Sequence, residues 1–253
     1  MPLLPLLGVP LYFQSGLAIT LAVPLLFAYL CIPLLDFLFG SDTSNPPEAI
    51  VPQLEEDRYY RWLTYIAAPL HFVTLLLMAW FVGTNDLSAW GVVAAALSTG
   101  AFSGLGLNTA HELGHKKTRI EQNLAKITLA VPAYGHFCVE HNRGHHRNVA
   151  TPGDPASSRM GESIYAFAMR EIPGGIRRGW QEESVRLERK GLSRWSRHNV
   201  ILQSYAISLV LQVGLIMAFG WIMVPFLAVH NFWAWFQLTS ANYICLLYTS
   251  PSP

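Results

Sequence analysis

Five of the nine histidines fall into two short clusters, HELGH at 111–115 and HNRGHH at 141–146. On a helix, residues four apart share one face, so His111 and His115 can bind one metal, and His141 and His145 repeat that spacing. His146, if its segment is helical, points about 100° away and is free to reach a second metal. A lone histidine is usually a core residue, but two clusters at this spacing point to metal chemistry. The first cluster alone also matches the H-E-x-x-H of zinc proteases, with Glu112 as the base. That intramembrane zinc metalloprotease is the rival reading, yet such an enzyme needs three ligands and one open position, and five histidines exceed that need. Imidazole-rich sites with room for two metals suit non-haem iron that activates oxygen. The lack of a thiolate ligand leaves iron or zinc.

The elements that must position these residues are written in the apolar pattern. The chain has 253 residues, 52% hydrophobic and only 13% charged, with a mean hydropathy of +0.30. A soluble domain carries roughly a quarter of its residues charged, so the expectation is an all-α integral membrane protein. Residues 1–35, 62–85, 87–111 and 198–253 contain no Asp, Glu, Lys or Arg. Each of the middle two can supply the roughly 20 apolar residues of one crossing, and the last is long enough for two, with a break near Phe219 and Gly220. Net charge of +1 with no basic-aromatic run argues against nucleic acid. Cys31, Cys138 and Cys245 form no C-x-x-C pair, which excludes a disulfide framework, a Cys-type zinc finger and a fused rubredoxin-like domain.

Apart from Arg58 and Arg61, every Lys and Arg lies within 116–197. The positive-inside rule puts that block in the cytoplasm, and residues 83–86 become the outer turn of a helical hairpin. A helix over 17–39 would then run inward to an acidic loop at 42–57. The expected layout is transmembrane helices over 1–110, a histidine-box catalytic cap over 111–197 and a transmembrane hairpin over 198–244. Residues 1–13 are too short to span and lack a basic n-region, so they read as the remainder of a helix and not as a signal peptide. The apolar stretch 127–139 reads as an interfacial or re-entrant piece. Gly174 and Gly175 should break a polar segment, after which 180–197 reads as a solvated amphipathic helix paired through Glu182, Glu183 and Arg186. Its basic residues could also meet an acidic protein partner.

With these residues in view, the chain closely resembles the membrane alkane 1-monooxygenases. The resemblance rests on HELGHK at 111–116, GHF at 135–137 and EHNRGHHRNVATPGDPASSRMGES at 140–163, and extends from about residue 33 to 244. Membrane fatty-acid desaturases and hydroxylases share the histidine-box idea but usually read H-x-x-H-H where this chain has H-x-x-x-H-H. The resemblance implies a multi-pass enzyme of the bacterial inner membrane with its active site on the cytoplasmic side. It also implies two iron ions, and insertion of one oxygen atom of O2 into the terminal C–H bond of an n-alkane drawn from membrane lipid. Electrons would come from NADH or NADPH through rubredoxin reductase and rubredoxin. His111, His115, His141, His145 and His146 are the expected iron ligands. Ligand imidazoles need acceptors on their second nitrogens, for which Glu112, Glu140, Asp154 and Glu162 are candidates, unless ion pairs with Arg143, Arg147 or Arg159 occupy them. His136 is a further candidate for that outer shell, whereas His71, His198 and His230 read as packing or interface residues. Ala28 aligns with a position often filled by a large aromatic and is expected to leave a substrate tunnel open, unless it only eases helix packing.

After Ile244 the family continues with Glu-His-Tyr-Gly and later a third histidine box. This chain reads CLLYTSPSP at 245–253, which is expected to be a non-native tail on a truncated chain, so that the chain as given holds at most a partial iron site. A membrane metal carrier would need polar groups lining a pathway, and 87–107 offers little beyond Ser and Thr.

Overall fold

A computed structural model describes residues 1–40, 47–50 and 57–249. Helices and turns make up these residues, and no strand occurs among them, as the all-α expectation requires. Of the acidic loop expected at 42–57, only 47–50 and 57 are among the described residues.

After a 3-10 turn at Leu4–Leu7, helix α1 (Gly8–Ser15) stops where Gly16 takes a left-handed backbone at φ +69°. This short element packs on the next one, since a Cβ on Gly8 would lie 3.0 Å from Leu21 Cα. Helix α2 (Ala18–Phe39) is a 22-residue membrane-length element interrupted by a π turn at Phe27–Cys31, closed by Ile32 N–H donating to the Phe27 carbonyl. Pro33 follows directly, and its missing N–H explains why the regular ladder is reset there.

Helices α3 (Arg58–Thr84) and α4 (Ala89–His115) form a hairpin through the turn expected at 83–86. Their starts are set by Asp57 accepting from Tyr59 N–H and Ser88 accepting from Gly91 N–H, both ordinary N-caps. Helix α4 is the centre of the molecule, with 72% of its apolar window buried. Small residues make that possible. A Cβ on Gly100 would come within 2.6 Å of the His230 carbonyl, and one on Gly104 within 2.7 Å of Gln237 Cβ, so the last long helix lies directly against α4. Burial of α4 on several sides fixes where its end, carrying His111 and His115, is presented.

Beyond that end, Gln122 Nε2 donates to the Gly114 and Lys116 carbonyls and closes the helix terminus. Thr118 caps α5 (Arg119–Ala130) with Glu121 three residues on, a capping box. The stretch 127–139 is therefore not one apolar piece. Its first residues end α5, and 131–136 form a buried turn pinned by Trp235 Nε1 donating to the Pro132 carbonyl. Helix α6 (137–148) carries the second histidine cluster.

Helix α7 (Ile164–Glu188) runs unbroken through Gly174 and Gly175, contrary to the expected break. Close packing requires the first of them, while the second would tolerate a methyl at ordinary contact distance. A Cβ on Gly174 would meet Pro155 Cβ at 2.8 Å, and one on Gly175 would lie 3.6 Å from His136 Nε2. The helix ends at Glu188, with Gly191 at φ +66°, well short of Arg197. Its Glu183 is buried between Arg143 and Arg186, so this helix is only half solvated. Helices α8 (Val200–Phe219) and α9 (Met223–Thr249) complete the described chain, separated at Gly220 as expected.

Among the described residues four helices, α2, α3, α4 and α8, are long and apolar enough to cross a membrane, and the chain is a multi-pass membrane protein. Helix α9 is equally long but interleaves His230, Asn231 and Thr239, all buried against its neighbours. His230 shares a 2.9 Å contact with Ser103 Oγ, and His71 lies against Gly106. Both are packing histidines, as expected, while His198 is exposed.

Candidate metal centre

The end of α4 and the middle of α6 bring four imidazoles together. One nitrogen from each of His111, His115, His141 and His146 lies within 4.8 Å of the other three. His111 and His115 contact each other through their Nε2 atoms at 2.9 Å, and so do His141 and His146 at 3.0 Å. His141 is the hub, with its ring centroid 4.4 Å from that of His111 and 4.5 Å from that of His146. In a neutral pair one nitrogen donates and the other accepts. A metal would take the place of that shared proton, bound by the converging lone pairs.

The pairing in the second cluster differs from the regular-helix expectation. Residues His141–His145 form a π turn closed by His146 N–H donating to the His141 carbonyl. Five residues per hydrogen-bonded turn bring His146, and not His145, back over His141. His145 instead turns toward Asp154, its Nδ1 lying 2.9 Å from Oδ2. An ionised carboxylate only accepts, so Nδ1 carries a proton, which leaves Nε2 as the nitrogen a neutral ring would offer a metal. This is the arrangement that fixes a ligand histidine's tautomer.

Asp154 is fully buried and is the most heavily bonded acid of the site. Ser157 Oγ donates to it at 2.5 Å, Arg178 Nη2 at 2.6 Å and Ala156 N–H at 3.2 Å. Burial opposes its charge, but the hydrogen bonds from His145, Ser157 and Arg178 hold its carboxyl down to about 2. The same Arg178 pairs with Glu140, whose carboxyl is nonetheless raised by burial, the guanidinium offsetting only part of that penalty. Glu162 is bridged by Arg170 Nε and Nη2 at 2.9 and 2.7 Å, and the same guanidinium donates to the Pro155 and Ser157 carbonyls, bracing the loop that carries Asp154. Glu112 is largely exposed, with its oxygen 3.6 Å from His111 Nδ1, too long for a hydrogen bond. His136 points away from the cluster, its Nδ1 2.9 Å from Tyr205 Oη, and burial pushes it down to about 3. Ala28 is half-buried within the α2 π turn, where the adjacent Tyr29 meets Trp233 edge-on.

The guanidinium groups that pair with these acids are thus those of Arg170 and Arg178 on α7, not Arg143 or Arg147, while Arg159 serves Glu162 through its backbone N–H at 3.1 Å and, more weakly, through its charge. Arg143 pairs with Glu183, and Arg147 lies 3.9 Å from Glu182 in solvent. Glu171 also escaped sequence reasoning. It is buried, accepting from Thr239 Oγ1 at 2.6 Å and Asn242 Nδ2 at 3.0 Å. A signal was present, because Glu171, Gly175, Arg178 and Gly179 recur at helical spacing and mark an inward face without apolar side chains.

Burial, reinforced by the neighbouring imidazoles, lowers His141 to about 3. An unfolded histidine titrates near 6.5. Where the folded value is depressed, the unfolded chain takes up the proton first, so the contribution to stability is complete above about 6.5 and is lost as pH falls toward the folded value. With His136 and His141 both near 3, the melting temperature of the metal-free protein in detergent is expected to fall steadily from pH 6.5 to 4. A flat profile over that window would contradict the buried neutral imidazoles.

Residues 88–250 match the fatty acid desaturase family. The alkane 1-monooxygenase of Ectopseudomonas oleovorans is 52% identical over 96% of this chain and 61% of its own length. That of Pseudomonas putida is 52% identical over 96% and 60%, and alkane 1-monooxygenase 1 of Alcanivorax borkumensis is 50% identical over 96% and 60%. The chain spans about three fifths of the length of these curated relatives. With a match covering more than half of its residues, and a histidine-lined centre at the end of a buried membrane helix, the chain belongs to the fatty acid desaturase family.

Proposed function

We propose that the protein carrying this chain is an alkane 1-monooxygenase, which converts an n-alkane, O2, two electrons and two protons into a 1-alkanol and water. The single observation that carries this reading is the convergence of the His111, His115, His141 and His146 nitrogens, in a chain about half identical to alkane 1-monooxygenases over nearly its whole length. The donor set fits the proposed non-haem centre of two iron ions. Imidazole nitrogens suit iron, burial keeps His141 neutral and able to bind a metal, and the His145 ring, held by Asp154, lies with its centroid 5.2 Å from that of His141. When bound, iron would supply the oxygen-activating redox chemistry that side chains lack.

The remaining work falls to this chain's residues. His111, His115, His141, His145 and His146 hold the metal. Asp154 sets the tautomer of His145, and Arg178 and Arg170 hold the acids and the loop around it. Glu112, Glu140, Glu162 and His136 belong to the outer support. The apolar helices within 1–110 and 198–244 keep the alkane in lipid, and the cap 111–197 faces the cytoplasm of a bacterial inner membrane, which its basic residues favour. Two irons need more ligands than five imidazoles supply, so this chain by itself is expected to be inactive.

The test is electron supply to a protein completed to the relatives' length. Rubredoxin with rubredoxin reductase and NADH or NADPH is expected to support 1-alkanol formation, and omitting rubredoxin to stop it. Turnover undiminished without rubredoxin would contradict that partner. For the tunnel, Ala28→Trp is expected to abolish oxidation of the longer n-alkanes while sparing the shorter ones, read from a chain-length series. Equal loss at every length would leave Ala28 a packing residue.

A further inference from the structure

Away from the histidine cluster, α7 and α8 enclose an apolar groove of about 430 Å³. Ile176 and Trp180 line one wall and Ile201, Leu202 and Tyr205 the other, with His136 at its floor. The α7 residues stand at i and i+4, as do Ile201 and Tyr205, so each helix presents one continuous face. Arg177 and Gln181, also four apart, stand at the rim. The lining contains one cation and no carboxylate, and Arg177 has no ion pair or side-chain hydrogen bond among the described residues.

The position of the groove says what meets it. Helix α8 is a membrane-length apolar helix beginning at Val200, so Ile201, Leu202 and Tyr205 occupy its first turns. The residues just before it carry Arg189, Lys190, Arg194 and Arg197, and the exposed Trp195 packs on Trp180 at 5.0 Å. Basic residues and tryptophans at the end of a membrane helix mark the headgroup level. The groove therefore opens at the boundary between headgroups and acyl chains, apolar inside and cationic at its rim.

We propose that this groove binds one anionic phospholipid, its phosphate on Arg177 and Gln181 and the upper part of an acyl chain along Ile176, Trp180, Ile201, Leu202 and Tyr205. A zwitterionic lipid offers the same chain but no net charge to complement the unpaired guanidinium. A second protein would have to enter an apolar groove at headgroup depth, where lipid is already the neighbour. The site does not depend on the metal centre, and its failure would leave the proposed reaction untouched.

Native mass spectrometry of the intact chain, released from detergent containing equimolar phosphatidylglycerol and phosphatidylcholine with the same acyl chains, reads the site directly. The wild-type chain is expected to retain one phosphatidylglycerol in preference to phosphatidylcholine. Arg177→Ala should cut that retention about fivefold, the contribution of one cation near an anionic lipid. Gln181→Glu, which places a competing carboxylate beside Arg177, should do the same, and Ile176→Gln should lower retention of both lipids. Unchanged phosphatidylglycerol retention in both rim variants would overturn the proposal. So would equal retention of the two lipids by the wild type, or displacement of the lipid by millimolar inorganic phosphate, which would show an anion site without a lipid groove.

Discussion

Replacing Arg178 with Ala is expected to destabilise the protein by about 3–5 kcal/mol, the cost of leaving a buried ion-pair partner uncompensated. Two acids depend on this one guanidinium, and the side chains of Arg178, Glu140 and Asp154 are 11%, 7% and 0% exposed. Arg178→Lys should recover only part of the loss, because a point charge cannot reproduce a planar fork that reaches both carboxylates. Arg143→Ala is the control. Its partner Glu183 keeps two bonds from Arg186, and Arg143 itself is 41% exposed, so less than about 1 kcal/mol is expected. Thermal melts in detergent decide the matter, and an Arg178→Ala protein melting with the wild type would show that the acids do not need their shared cation.

The second large effect concerns His141. Its ring touches those of His111, His146, His145 and His115, so His141→Ala removes the hub of the cluster. In a protein completed to the relatives' length, the expected outcome is loss of bound iron and a fall in 1-alkanol formation of more than about 100-fold. Disturbing only a partner that orients a ligand already costs roughly 10–100-fold, which is the range expected for Asp154→Asn. Near-normal alkanol formation from His141→Ala would remove the histidine cluster from the reaction.

The two histidine clusters and the helix that carries the first were legible in the sequence because each rests on a local pattern. A charge-free run long enough to span a membrane ends in HELGH, and position along the chain then fixes where His111 and His115 stand. The second cluster was legible in composition but not in geometry. A π turn leaves no mark in residue spacing, so pairing of His141 with His146 could not be told from pairing with His145. The break expected at Gly174 and Gly175 failed for a related reason. Helix propensity disfavours glycine, but close approach of Gly174 to Pro155 demands it, and only tertiary contact distinguishes the two. The arginines that hold the acids lie 38 and 24 residues away for Arg178 and 8 for Arg170. Nearest-in-sequence reasoning therefore chose Arg143, Arg147 and Arg159 instead. His136 was placed by its neighbours in the motif, whereas Tyr205, 69 residues on, is the group its Nδ1 contacts.

The central claim, that these histidines hold iron for oxygen insertion into an alkane, is tested most directly by the fate of labelled oxygen. The protein, completed to the relatives' length and supplied with rubredoxin, rubredoxin reductase and NADH or NADPH, should be given an n-alkane under 18O2 in ordinary water. Mass spectrometry of the product is expected to show one 18O in the terminal hydroxyl of the 1-alkanol, with the signal absent from His141→Ala. Alkanol carrying oxygen from water, or labelled alkanol formed equally well by the His141→Ala protein, would contradict the account.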